Sequence, residues 1–330
     1  MVEDQQWRLH VQARITGHEG VVNAVAVVPL PDGRVLIASG GDDGTVRLWD
    51  PVTGAAVGAP LTGYEGLVNA VAVVPSPDGR TLLAADGSEA TVWLWDPITG
   101  QRVNAFRTEH ENVVTAVAAV PLPDGRVVIA TGSEDSEVWL WDPITGAAAT
   151  DDPLEGHQGV VLAVTAVPLP DGRTLLASSG GDEVVRLWDP ATGQHIGAPL
   201  TGHDDWVNAV AAVPLADGRV LIASGGDDET VRLWDPVAGV GVGEPLTGHD
   251  DAVNSVTAVS LPDGRVLVAS GGDDGTVRLW DPVTGIAVGE PLTDHEGAVY
   301  AMAAGQLPDG RPFLATSGTD QTVLVWSPQS

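Results

Sequence analysis

Three residue types that can together move a proton recur along the chain at fixed spacing, each set followed by a tryptophan. The first set is His18, Ser39, Asp43 and Trp49, and the next is His110, Thr131, Asp135 and Trp141. Four more follow: His157, Ser178, Asp182 and Trp188; His203, Ser224, Asp228 and Trp234; His249, Ser270, Asp274 and Trp280; His295, Thr316, Asp320 and Trp326. A hydroxyl activated by a histidine that a carboxylate orients is the constellation of nucleophilic acyl transfer. Six equivalent copies do not fit one active site, and no Gly-x-Ser-x-Gly elbow is present to strain a serine into a nucleophile.

Other chemistries fare no better. His-Glu pairs at 18–19, 110–111 and 295–296 lack the second histidine of a zinc protease helix. The Asp-Asp-Gly runs at 42–44 and 273–275 lack the spaced ligands and closing glutamate of a calcium loop, and read as tight turns. Gly239, Gly241 and Gly243 do not complete a dinucleotide fingerprint. The absence of cysteine removes thiolate nucleophiles and cysteine-bound metals, and all 15 basic residues are arginine, which removes lysine-dependent phosphate and Schiff-base sites. The expectation is a protein with no catalytic residues, no metal and no cofactor.

A formal charge of −30 opposes phosphate backbones and anionic membrane surfaces, and no basic patch offsets it. Neither a nucleic acid nor a membrane is therefore expected as a partner, and acidity serves first to keep the protein soluble. No apolar run reaches the roughly 18 residues of a membrane span, and Glu3, Asp4 and Arg8 do not form a secretory leader. A cytoplasmic monomer is the expectation.

The chain aligns on itself with a period marked by Trp49, Trp95, Trp141, Trp188, Trp234, Trp280 and Trp326, and one residue is added between Trp141 and His157. Residues 1–330 are accordingly read as one repetitive body. Within a unit, VVNAVAVV (21–28), VLIASGG (35–41), TVRLWD (45–50) and AAVGAPL (55–61) are separated by Pro-Asp-Gly, Asp-Asp-Gly and Pro-Val-Thr-Gly breaks. β-Branched runs between turn formers predict four short strands per unit. Such a sheet cannot cover both its faces alone, and radial closure of the units covers them.

Gly-His at 17–18, 156–157, 202–203 and 248–249 and Trp-Asp at 49–50, 95–96, 141–142, 188–189, 234–235 and 280–281 make the chain resemble the WD-repeat family. The resemblance covers roughly residues 7–327. It implies an all-β, seven-bladed β-propeller with four antiparallel strands per blade, in which residues 7–16 supply the outer strand of the last blade and close the ring. Removing residues 1–14 is then expected to destabilise the whole body. The resemblance also implies that the recurring set is a structural relay, in which Asp orients His, His bonds Ser or Thr, and the hydroxyl meets the indole. In blade two the set has decayed together, to Tyr64, Ala85 and Glu89 around Trp95. Blade two is thus expected to be soft, or to be held by extra packing from Trp93 and Trp139, which stand where Arg47, Arg186, Arg232 and Arg278 stand elsewhere.

By the same resemblance, the loops leading into the inner strands and the Asp turns share one end of the ring, the top face, and the function implied is protein interaction. The leading position reads Val21, Leu67, Val113, Val160, Trp206, Ala252 and Ala298, and two residues later it reads Asn23, Asn69, Thr115, Leu162, Asn208, Asn254 and Tyr300. Trp206 and Tyr300 break their series. Large aromatics ringed by polar groups anchor partners, so these two, with Asn208, Asn254, Asp227 and Asp273, are the candidate binding residues for a protein or peptide. The competing reading is that either ring merely plugs the channel mouth. A noncatalytic interaction platform is the leading functional reading. Beside it stand a recently duplicated or idealised repeat without a specific partner and a propeller with a small-ligand or catalytic pocket. The opposite end carries Arg34, Arg126, Arg173, Arg219, Arg265 and Arg311 in near-uniform Pro-Asp-Gly-Arg turns, which read as hairpin closure.

Overall fold

A computed structural model describes residues 9–63, 66–87 and 90–328. All regular elements among them are strands. After β1 (Leu9–Thr16), blade 1 contains β2 (Val22–Pro29), β3 (Val35–Gly41) and β4 (Val46–Trp49). Blade 2 contains β5 (Val71–Pro75), β6 (Thr81–Gly87), β7 (Thr91–Asp96) and β8 (Gln101–Arg107), and blade 3 contains β9 (Val114–Pro121), β10 (Val127–Ser133) and β11 (Val138–Trp141). Blade 4 is built from β12 (Val161–Pro168), β13 (Thr174–Gly180), β14 (Val184–Asp189), β15 (Gln194–His195) and β16 (Leu200–Thr201). Blade 5 repeats that plan with β17 (Val207–Pro214), β18 (Val220–Gly226), β19 (Thr230–Asp235), β20 (Val240–Gly241) and β21 (Leu246–Thr247). Blade 6 has β22 (Val253–Ser260), β23 (Val266–Gly272) and β24 (Val277–Trp280), and the last blade has β25 (Val299–Gln306), β26 (Pro312–Gly318) and β27 (Thr322–Pro328).

The innermost strands β2, β5, β9, β12, β17, β22 and β25 each touch the next, and β25 touches β2, so the seven sheets form a closed ring. The apolar clusters explain why. Each one spans two neighbouring blades: Val120, Val128 and Leu140 of blade 3 pack with Val164, Leu176 and Trp188 of blade 4. Leu307 and Phe313 of the last blade pack with Val25, Ile37 and Trp49 of the first. A blade covers its face only against its neighbour, which is the physical content of the repeat.

Blade 7 takes its outer strand from the other end of the sequence. β1 runs antiparallel to β27, pairing Arg14 with Leu324 and Ile15 with Val323. Ile15 is buried in the cluster shared by the last and first blades. Leu324 occupies the position held by arginine in four other blades, and Arg14 brings a guanidinium from across the strand pair. Its Nη2 donates to the Asp294 carbonyl at 2.8 Å and its Nη1 lies 4.0 Å from Asp320 Oδ2.

The outermost strand is the least regular part of five blades, blades 2 and 7 excepted. In blades 1, 3 and 6 it is reduced to two bridging residues, such as Ala56 opposite Trp49 and Leu61 opposite Val46. Gly58 takes a φ of +76° and Pro60 has no N–H, so the run AAVGAPL cannot keep a continuous ladder. Blade 2 has QRVNAFR there, free of both residues, and forms the seven-residue β8, with one register shift opposite Leu94 and Trp95.

Blade 2 carries added aromatic contacts on its outer side. Trp93 and Trp95 stack with centroids 6.4 Å apart, and the Arg102 guanidinium carbon lies 4.7 Å from the Trp93 ring centre. In blade 3, Trp139 stacks on Trp141 at 5.5 Å, while Phe106 of β8 reaches Trp141 at 5.7 Å. Both added tryptophans pack within the sheets. Tyr64 and Glu89 lie outside the described residues.

Candidate interaction face

The recurring polar sets come together in all six blades that carry them. Trp Nε1 donates to the Ser or Thr hydroxyl at 2.7–2.8 Å. That hydroxyl lies 2.7–2.8 Å from His Nε2. His Nδ1 lies 2.8–3.0 Å from the Asp carboxylate. An indole can only donate, so the hydroxyl oxygen accepts from it and turns its own proton to Nε2, which leaves the histidine proton on Nδ1 facing Asp. Every N–H and O–H of the relay side chains thereby meets an acceptor. An unsatisfied member would cost about 1–3 kcal/mol, so the arrangement is one of mutual satisfaction.

Electrostatics follow the same logic. Burial lowers the pKa of His18, His249 and His295 despite the facing carboxylates, keeping these imidazoles neutral near pH 7. Burial works against the Asp228 carboxylate, but the hydrogen bonds and charge of His203 together with Thr230 overcome it and hold the pKa at about 2. Each Asp also accepts the backbone N–H after the histidine, as Asp43 does from Glu19 at 3.1 Å. It thereby ties the loop leading into the inner strand to the turn before the third strand, and places both at the same end of the ring.

Blade 3 adds Glu137 where blade 1 has Thr45, and the donor atoms of His110, Asp135 and Glu137 lie within 4.8 Å of one another. His110 Nδ1 donates to Asp135, Nε2 accepts from Thr131, and Glu137 Oε2 accepts from Trp139 Nε1 at 2.8 Å. With both ring nitrogens engaged, the histidine has no lone pair to offer a cation.

At this end of the ring the repeats diverge. Asn23 Nδ2 donates to Asp42 Oδ1 at 2.9 Å in its own blade and to the Val68 carbonyl of the next at 3.4 Å. Asn208 does the same with Asp227 (2.6 Å) and Val253 (3.3 Å), and Asn254 with Asp273 (2.7 Å) and Val299 (3.5 Å). Asn69 reaches Val114, and Thr115 Oγ1 donates to Val161. The Asn208 and Asn254 amides are thus engaged in joining blades, a role that sequence spacing did not reveal. In blade 7, Tyr300 takes the asparagine position and Ser317 Oγ donates to the Val22 carbonyl instead, at 3.0 Å.

Blade 4 drops the pair altogether, with Leu162 and Gly181 in place of Asn and Asp. Trp206 of blade 5 lies over the vacated position: a Cβ on Gly181 would come within 3.3 Å of the indole. The ring remains 47% exposed, and its backbone N–H donates to Asp205 at 2.8 Å. Tyr300 is 37% exposed, its hydroxyl pKa raised by partial burial and by the negative charges of Asp273 and Asp42 on either side. The two aromatics stand two blades apart and do not touch. Leu67, 45% exposed at the position equivalent to Trp206, is a third large side chain on this face that the series of types had not singled out.

The other end is self-contained. Each hairpin Asp pairs with the Arg two residues later, from Asp32 and Arg34 to Asp309 and Arg311, at 2.7–2.8 Å. The lengthened loop between blades 3 and 4 frames an open cleft of about 450 Å³ lined by Thr150, Asp151, Asp152, Thr192 and Gly193, which gathers no acid–base or nucleophilic set. No helix among the described residues is long and apolar enough to cross a membrane.

Comparison with known proteins assigns the architecture. Two curated relatives, the ribosome biogenesis protein erb1 of Neurospora crassa and that of Chaetomium thermophilum, are each 50% identical over 46 residues. Those matches cover 14% of this chain and only 6% and 5% of the two fungal proteins. The family model for the WD domain, G-beta repeat, matches residues 9–50, 57–96, 100–142, 150–189, 194–235, 242–281 and 288–327. Its first segment runs from the outer strand of the last blade through the third strand of blade 1. With seven such segments over nearly its whole described length, the chain belongs to the WD-repeat family.

Proposed function

We propose that the protein is a noncatalytic interaction platform that takes a protein or peptide on its top face, around the channel mouth. The observation that carries this reading is Trp206, a large ring left half exposed where the neighbouring blade has given up its Asn–Asp pair. Exposed aromatics on a rigid frame are the commonest anchors of protein interfaces. WD repeats act as protein-interaction scaffolds, and the relay hydroxyls and imidazoles are engaged with one another rather than presented to a substrate. The fungal matches, one repeat long, bring repeat sequence and no partner.

The test is affinity for a partner captured with the intact protein. Trp206→Ala combined with Tyr300→Ala is expected to weaken binding by about 30-fold, the scale of one strong anchor, while the melting temperature stays unchanged. Affinity retained within about twofold would remove both rings from the interface and favour the channel-plug reading.

A further inference from the structure

The charge of the protein is unevenly balanced. The hairpin aspartates at the bottom are each paired with an arginine, the relay aspartates with a histidine, and the Trp-Asp turn aspartates are capped by backbone N–H groups, whereas among the described residues the carboxylates of Asp42, Asp227 and Asp273 meet neither a cation nor a backbone N–H. All three are exposed on the top face. One oxygen of each is held by a neighbouring asparagine amide, which fixes the carboxylate without neutralising it. Blades 5 and 6 add a second acidic layer, since only they carry Asp-Asp, at 204–205 and 250–251, in the loop before the inner strand. Trp206 stands at one end of this arc, and Tyr300 sits between Asp273 and Asp42 near the other.

Resting on the top-face reading above, we propose that the segment lying along this arc, from Trp206 past Tyr300, is an extended, arginine-containing peptide whose guanidinium groups meet Asp227, Asp273 and Asp42. Arginine suits this surface on two counts. Its planar fork pairs with a fixed carboxylate, and its flat face stacks on an indole or phenol ring. The Tyr300 ring between Asp273 and Asp42 offers both at once: the charges that oppose ionisation of its hydroxyl attract a cation. The same field repels phosphate, so an RNA strand is disfavoured on this face.

The probe is a fluorescent peptide of repeated Gly-Arg-Leu units, with a Gly-Gln-Leu counterpart and a labelled RNA oligonucleotide, titrated against the full chain. The Gly-Arg-Leu peptide is expected to bind with one-to-one stoichiometry and to weaken at high salt. Asp227→Asn with Asp273→Asn, which keeps the asparagine contacts, is expected to reduce its affinity about tenfold or more, as is replacement of its arginines by glutamine. Glu244→Gln with Glu290→Gln, on outer connections of the same blades, removes equal charge off the face and is expected to leave affinity unchanged. Equal binding of the Arg and Gln peptides, abolished for both by Trp206→Ala, would overturn the cationic assignment while leaving aromatic docking in place. No binding of either peptide, binding indifferent to the Asp and Trp206 changes, or RNA captured on the arc would each overturn the proposal.

Discussion

A chain lacking residues 1–16 is expected to lose cooperative folding, or to melt roughly 10 °C below the full chain, although residues 17–330 retain all seven tryptophans of the repeat. The strand removed is the outer edge of blade 7. Its loss uncovers the backbone of β27 and strips Ile15 from the seam between the last and first blades, along with the partly buried Leu9, Val11 and Ala13. Burying an aliphatic side chain contributes about 1.5–3 kcal/mol, so these four together contribute about 5 kcal/mol. Net stabilities of whole domains are only about 5–15 kcal/mol. The Arg14 contacts with Asp294 and Asp320 go as well. An unchanged melting curve, followed by circular dichroism, would show that the last blade does not need β1.

Asp86→Asn is expected to stabilise the protein, and to do so more at alkaline than at acid pH. Asp86 stands where blades 1, 3, 5 and 6 place Gly40, Gly132, Gly225 and Gly271 against a valine of the next blade. Its Oδ1 accepts the backbone N–H groups of Asn69 and Ala70 at 2.9 and 2.8 Å, and β5 starts only at Val71. Oδ2 is buried and has no hydrogen-bond partner among the described residues. Burial outweighs the two backbone N–H bonds and pushes the pKa up to about 7. In the unfolded chain the group ionises near 3.8. Between those values only the unfolded state releases the proton, so stability falls as pH rises through this window and is level above about 7. Asparagine keeps the acceptor and removes the charge. Its advantage over the native residue is expected to widen by about 3 kcal/mol between roughly pH 5 and pH 8 in urea titrations. A pH-independent difference would mean that Asp86 is already ionised, or already compensated, in the folded protein.

These two cases show where sequence was sufficient and where it was not. The repeat was legible because tryptophan, histidine and aspartate must recur together to satisfy one another, and seven copies leave little room for accident. The decay of blade two at Ala85 was legible for the same reason. Asp86, its neighbour, was not: a single carboxylate in a glycine position reads as a loop residue until its backbone partners are seen. The outer strands were legible as the fourth strand of each blade, but their reduction to bridging residues in blades 1, 3 and 6, which follows from Gly58 and Pro60 in the first of these, was not read.

On the top face, sequence singled out Trp206 and Tyr300 by departure from their series, yet their settings came only from geometry. Leu162 and Gly181 change in blade 4 at positions that face each other across the inner hairpin, so a search for paired departures would have found the seat of Trp206. The contact of an asparagine with the next blade's carbonyl involves a residue 45 positions away, which no local pattern announces.

The claim beneath all of this is that the two ends of the chain meet in one blade. His10 lies opposite Ser327 in the β1–β27 pair, and the sequence contains no cysteine of its own. Adjacent antiparallel positions fall within the span of a disulfide. With His10→Cys and Ser327→Cys introduced together, mild oxidation of the folded protein is predicted to give a disulfide within a single chain, seen as a shifted monomer band on a non-reducing gel. Thiols that stay free in the folded protein, or bridges formed only between chains, would contradict a ring sealed by its own termini.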